Sequence, residues 1–192
     1  TGDGAGILMQ IPHEFITRVL KMDVGIPGRY ATGLVFLPTI EAEAATCLDL
    51  LNRYIREEGL ELVGYRDVPV DHSAPGRIAL TTEPVIKQLF VRGNLEQDAL
   101  ERKLFVIRKL TEHAIRKSGL TQKRYFYQPS FSSKILIYKG MFTPRQLISY
   151  YPDLTDERLK SAIALVHSRF STNTFPTWDL AQPFRVIAHN GE

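Results

Sequence analysis

An α+β fold, with sheets and helices in layers, is what this sequence predicts. Three observations point there. Residues 40–58 and 95–117 carry apolar side chains at helical spacing over long stretches. Roughly seven shorter apolar runs read as strands and mix with those helices along the chain. No internal repeat, low-complexity tract or clear linker divides the 192 residues, so a single domain over 1–192 with a sizeable core is expected.

Taken in order, residues 1–6 form a glycine-rich loop that runs into a strand over 7–11. A phosphate loop would need a Gly-Lys-Ser/Thr ending, which is missing. Pro12 opens a short helix with Phe15, Ile16, Val19 and Leu20 on its apolar face and His13 at the surface. A turn at 25–28 precedes a strand over 32–37, closed by Pro38. In the helix over 40–58, Ala44, Cys47, Leu48, Leu51, Tyr54 and Ile55 share a face, and Gly59 stops it. Cys47, the single cysteine, therefore reads as a small core residue rather than a nucleophile.

A strand over 60–65 leads to 67–77, largely loop because of Pro69, Pro75 and Gly76. His72 lies there beside Asp71 and Ser73; adjacent loop residues do not make a catalytic triad. A strand over 86–91 and a turn at 92–94 bring in the longest helix, 95–117, with Asn94 as its N-cap. Its stripe is Leu100, Leu104, Ile107, Leu110 and Ala114, and its lysines and arginines read as a solvated face. Residues 125–131 and 134–138 alternate well enough for a β-hairpin, with Tyr125, Phe126, Tyr127 and Phe131 packing between sheet and helix. Thr143 caps a short helix with Pro144 at its first position, ended by Pro152. Residues 161–169 fit a strand or a helix equally well, and the apolar run 185–188 reads as a buried strand.

Composition excludes several classes. Hydrophobic residues are 44% and charged residues 23%, ordinary for a soluble domain. The net charge of +3 is too small and too scattered for nucleic acid. No apolar run reaches membrane-spanning length, and the first residues lack a basic segment of the kind that opens a signal peptide. One cysteine permits no internal disulfide, which fits a reducing compartment.

The polar chemistry concentrates between His167 and Glu192. Arg169 offers a planar fork suited to a carboxylate. Asn190 followed by Gly191 offers a side-chain amide and a backbone N–H that can converge on one oxyanion. Singly, an Asn-Gly pair is most often a tight turn and an arginine a surface ion pair.

The wording of this stretch, His167-Ser-Arg-Phe-Ser-Thr-Asn-Thr-Phe-Pro-Thr-Trp178 followed by Ala188-His-Asn-Gly-Glu192, closely resembles the N-terminal glutaminase domain of glutamate synthases. These are class II glutamine amidotransferases of the N-terminal-nucleophile hydrolase fold. The resemblance implies a four-layer α-β-β-α sandwich, here incomplete at both ends, and decides 161–169 for a strand. It implies that Asp3-Gly-Ala-Gly-Ile7 follows the nucleophile, where close backbone approach needs small residues.

It also implies roles. Asn190 and Gly191 would form the oxyanion hole. Arg169 would bind the α-carboxylate of L-glutamine, with Phe170, Thr172 and Asn173 in the wall around it. The nucleophile, an N-terminal cysteine, would lie upstream of this chain, so the segment alone is expected to be inactive. The acidic residue for the substrate's α-amino group would lie downstream. No cofactor or metal is expected in this segment, whereas FMN and an iron–sulfur cluster are implied for the full-length enzyme. Implied partners are the synthase domain of the same polypeptide and a small electron-transfer subunit or ferredoxin. The implied location is the cytoplasm, or a plastid in a photosynthetic eukaryote. Two other readings carry over: an amidotransferase with another acceptor, and a non-catalytic module of the same fold.

Overall fold

Two antiparallel three-stranded sheets organise the chain, each in its own compact unit. The computed structural model describes residues 4–168 and 175–188. With helices accompanying the sheets, the chain is α+β, consistent with the sandwich class the sequence implies.

The unit built from residues 22–67 and 84–134 is an antiparallel sheet with two helices packed on each other. Strand β2 (Tyr30–Leu37) ends at Pro38 as expected and is buried along its whole length. Helix α1 (Glu41–Glu57) follows, then β3 (Glu61–Asp67). Strand β4 (Val85–Arg92) lies between β2 and β3, and helix α3 (Gln97–Lys117) completes the unit. Gly59, at φ +73°, ends α1 with its N–H on the Arg56 carbonyl, while the Leu60 N–H reaches Ile55. This is the left-handed stop that glycine supplies without a Cβ penalty.

The core of this unit is aliphatic: Val35, Leu51, Ile55, Leu89, Leu104 and Ile107 are all at 1% exposure or less. Cys47 joins them, fully buried, its thiol pushed up to about 11 by burial and then by Glu43. Phe126 and Phe131 join the same core, which is the packing role expected of the aromatic cluster.

The other unit comprises 4–21, 68–83 and, from residue 135 onward, the remaining described residues. Strand β1 (Ala5–Gln10) is its centre, with β5 (Ile135–Gly140) on one side and β6 (Ala164–His167) on the other. Helices α2 (Arg77–Thr81) and α4 (Pro144–Tyr150) belong to it. Thr143 caps α4 as expected: its hydroxyl accepts from the Gln146 N–H, and the Gln146 side chain accepts from the Thr143 N–H.

Five expectations are corrected. Residues 125–138 do not form a hairpin. A 3-10 turn (Lys123–Tyr125) is followed by irregular chain whose pairing with β2 is limited to the isolated bridges Phe36–Tyr127 and Thr32–Ser132. Pro129 has no N–H to give a ladder there, and β5 pairs with β1, far away in sequence. Asn94 does not cap α3: the chain enters the helix at Glu96, and the Asn94 side chain accepts from Arg29 instead.

The buried stripe of α3 is rotated, with Thr111 and Ile115 inside and Leu110 39% exposed. Thr111 enters because its hydroxyl is satisfied by the Ile107 carbonyl one turn back. Its face of cations is not wholly solvated either, since Arg108 is buried against Glu112 at 3.1 Å. Finally, residues 185–188 are not a buried strand. Phe184 and Ile187 exchange backbone hydrogen bonds of 2.8 and 2.6 Å across a tight turn, leaving Val186 89% exposed. Helix α2, meanwhile, begins at the end of what reads as loop.

Candidate functional site

Arg169, Phe170, Thr172, Asn173, Asn190 and Gly191 lie outside the described residues. The described chain places the elements that precede and follow these residues in sequence. Strand β6 runs antiparallel to β1 with His167 opposite Gly6 and Val166 opposite Ile7. The expected strand there is thus present, over Ala164–His167. On the other side of β1, Ala5 stands opposite Gly140 and Gly6 opposite Lys139. The beginning of β1 and the ends of β5 and β6 therefore come together at one edge of this sheet.

At Gly6 the close approach expected of the glycine-rich start is present. A Cβ there would fall inside van der Waals contact with the Gln182 carbonyl, at 2.7 Å from the Lys139 Cβ and 2.9 Å from the Pro183 ring. The chain after the Arg169 region thus lies directly on the start of β1.

Residues 175–188 are held by two kinds of anchor. Trp178 is buried among aromatic rings, edge-on to Phe142 at 5.0 Å, and its indole N–H donates to the Ala79 carbonyl at 3.1 Å. Phe142, Tyr150 and Tyr151 extend this cluster with edge and tilted contacts. The second anchor is Lys139, whose side chain is fully buried. Its Nζ donates to the carbonyls of Asp179 at 2.7 Å and Ala181 at 2.6 Å and lies 4.8 Å from the centre of the Phe184 ring. Desolvation pushes the ammonium down to about 7, with Asp179 opposing and Arg185 adding to the shift.

Sequence reading missed Lys139. At the end of an alternating run, a lysine reads as the exposed edge of a strand. The available signal was its neighbourhood: in Ile-Leu-Ile-Tyr-Lys-Gly both phases of the alternation are apolar, so both faces are buried and the lysine has no solvated side to turn to.

The polar neighbours His72, Asp71 and Ser73 read as solvated loop residues, and their contacts agree. His72 is exposed and meets Glu83 at 3.0 Å, while Ser73 donates to Asp71 at 2.6 Å, so the three neighbours do not converge. Among the described residues no group of three or more His, Cys, Asp and Glu side chains could hold a metal ion.

The α+β architecture and the close approach at Gly6 are features that a class II glutamine amidotransferase is expected to have. Residues 1–192 match the class II glutamine amidotransferases, and the chain belongs to that family. The whole chain is 44% identical, over 197 residues, to the glutamate synthase (NADPH) large chain of Bacillus subtilis, of which it covers 13%. It is 41% identical over 206 residues to glutamate synthase (NADH) of Saccharomyces cerevisiae, covering 9% of that protein. Against the chloroplastic ferredoxin-dependent glutamate synthase of Oryza sativa subsp. japonica it is 40% identical over 197 residues, covering 12%. The chain thus spans a small part of the length of the curated relatives it matches.

Proposed function

We propose that this chain is the glutaminase part of a glutamate synthase, releasing ammonia from L-glutamine for the reductive amination of 2-oxoglutarate to L-glutamate. The observation that carries the reading is end-to-end similarity to glutamate synthases whose names span three electron donors. We take residues 1–192 as part of one amidotransferase domain, supported by a single family match across both units.

In this reading a cysteine upstream of Asp3 attacks the side-chain amide carbon, with its own α-amino group as base. The amide oxygen gains negative charge, which the Asn190 side chain and the Gly191 N–H stabilise. Ammonia leaves as the thioester forms, and water then releases glutamate. Arg169 holds the α-carboxylate by a charged, two-pronged contact. Phe170, Thr172 and Asn173 shape the wall beside it.

The chain's own residues do not fit an iron–sulfur cluster, which takes four thiolates where this sequence has one cysteine. In this reading the cluster, FMN and the electron donor, whether a small subunit or ferredoxin, go with the synthase portion of the polypeptide and its partners. Among the described residues no helix is long and apolar enough to cross a membrane. A cytoplasmic location, or a plastid one as in the chloroplastic relative's name, accompanies this reading.

The test supplies the complete protein with glutamine labelled with ¹⁵N in its amide, together with 2-oxoglutarate and a reductant. Label in the amino group of newly formed glutamate is expected. Ammonia release without transfer to 2-oxoglutarate would point to another acceptor, and no release would point to a non-catalytic module.

A further inference from the structure

We propose that Lys139 is a positioning residue for the glutaminase reaction, its Nζ holding residues 179–184 on the sheet at the start of β1. This rests on the reading above. Three observations carry it. The Nζ gathers two carbonyls, Asp179 and Ala181, from a segment with little regular structure of its own, and the Phe184 ring lies against the same cation. The lysine is itself fixed: its strand pairs with β1, and its carbonyl accepts from the Tyr151 hydroxyl at 3.0 Å. From the clamp the path is short, because the closed turn Phe184–Ile187 ends one residue before Ala188, two residues ahead of Asn190 in sequence.

Stability alone gives no reason for a cation here. Taking an ammonium out of water costs more than filling the same space with an apolar chain, and buried charges are weak contributors to stability. What the ammonium supplies is direction: it fixes two carbonyl oxygens at hydrogen-bond distance, which an apolar side chain cannot do. The depressed lysine titration is the signature of that cost. Gly6 meets the same clamp through the Gln182 carbonyl, the Pro183 ring and the Lys139 Cβ, so a methyl group there would disturb the segment and the stem of the lysine together while leaving the amine in the chain.

The experiment compares wild type, Lys139→Met and Gly6→Ala in the complete protein, assayed for glutamate formation with glutamine and then with ammonia as nitrogen source. For both variants glutamine-dependent kcat is expected to fall at least about tenfold, with KM within about threefold and the ammonia-dependent rate unchanged. Glutamine-dependent kcat within about twofold of wild type in folded Lys139→Met overturns the proposal. So does a rise in KM alone, which would place the effect on substrate binding. Loss of the ammonia-dependent rate along with the glutamine-dependent one assigns the lysine to the fold as a whole and also overturns it. If Lys139→Met does not fold, Gly6→Ala decides: a selective kcat loss supports the clamp, and an unchanged kcat removes it. A wild type that transfers no nitrogen from glutamine overturns the glutaminase reading itself, and the lysine's role with it.

Discussion

The two units bury their interiors by different means. In the unit of 22–67 and 84–134, aliphatic side chains from β2, β4, α1 and α3 make up most of the core, where contact is non-directional, and Thr32, Gln88, Arg108 and Thr111 add a few buried directed bonds. In the other unit aromatic and polar side chains share the interior with Met9, Ile16, Leu136 and Ile137. Tyr138 donates to Asp153 at 2.8 Å, Tyr151 to the Lys139 carbonyl at 3.0 Å, and Trp178 to the Ala79 carbonyl at 3.1 Å, while Lys139 gathers two further carbonyls. Burial raises the Tyr151 hydroxyl far above the usual tyrosine range, so it stays a neutral donor. A greasy core tolerates small shifts. A core of directed bonds fixes particular backbone atoms, and the residues leading into the candidate site belong to that second kind.

The largest expected effect tests whether function follows this division. In the complete protein, Asn190→Ala should lower glutamine-dependent kcat by about 10²–10³ if Asn190 has the proposed oxyanion role, because that oxygen gains charge only during attack. Arg169→Ala should instead raise KM, since the carboxylate carries the same charge before and during the reaction. The ammonia-dependent rate should survive both. An Asn190→Ala enzyme with kcat within a few-fold of wild type would remove the oxyanion assignment.

A smaller effect separates the cores by mutation type. Leu51→Ala, in the aliphatic core, should cost about 2–5 kcal/mol of unfolding free energy. The milder Leu51→Met should cost less than about 1.5 kcal/mol. In the other unit, Tyr151→Phe removes one oxygen and changes volume little, yet leaves a buried carbonyl short of a donor and should cost about 1–3 kcal/mol. Denaturant unfolding measures all three. A Tyr151→Phe protein as stable as wild type would show that the directed bonds contribute nothing net.

A further effect is a pH slope. Lys139 titrates near 7 in the folded chain and in the ordinary lysine range when unfolded. Below 7 both states hold the proton and the burial cost stands in full. Between about 7 and 10 the unfolded state holds more protons, so this group makes stability rise with pH. The slope is up to about 1.4 kcal/mol per pH unit. Lys139→Met should lack that rise, so the gap between wild type and variant should move in favour of wild type from pH 7 to pH 9. Parallel pH curves would show a lysine that titrates normally.

What the sequence by itself determined was local or periodic. The helical spacing of Cys47, Leu51 and Ile55 placed α1, Gly59 stopped it, Pro38 closed β2, and Thr143 with Pro144 started α4, because each depends on residues within a turn or two. The family wording around Arg169 and Asn190 was equally legible, since it is carried by residue identity. Only tertiary structure decided the rest. Alternation in 125–138 predicts extended chain but not its partner, and β5 found β1 far away in sequence. The apolar run 185–188 was free to turn outward because a tight backbone turn closed it before it could pair. Lys139 reads as an exposed strand end until β1, Tyr151 and the carbonyls of Asp179 and Ala181 surround it. Partners brought together over long sequence distances settle such questions, and no local pattern encodes them.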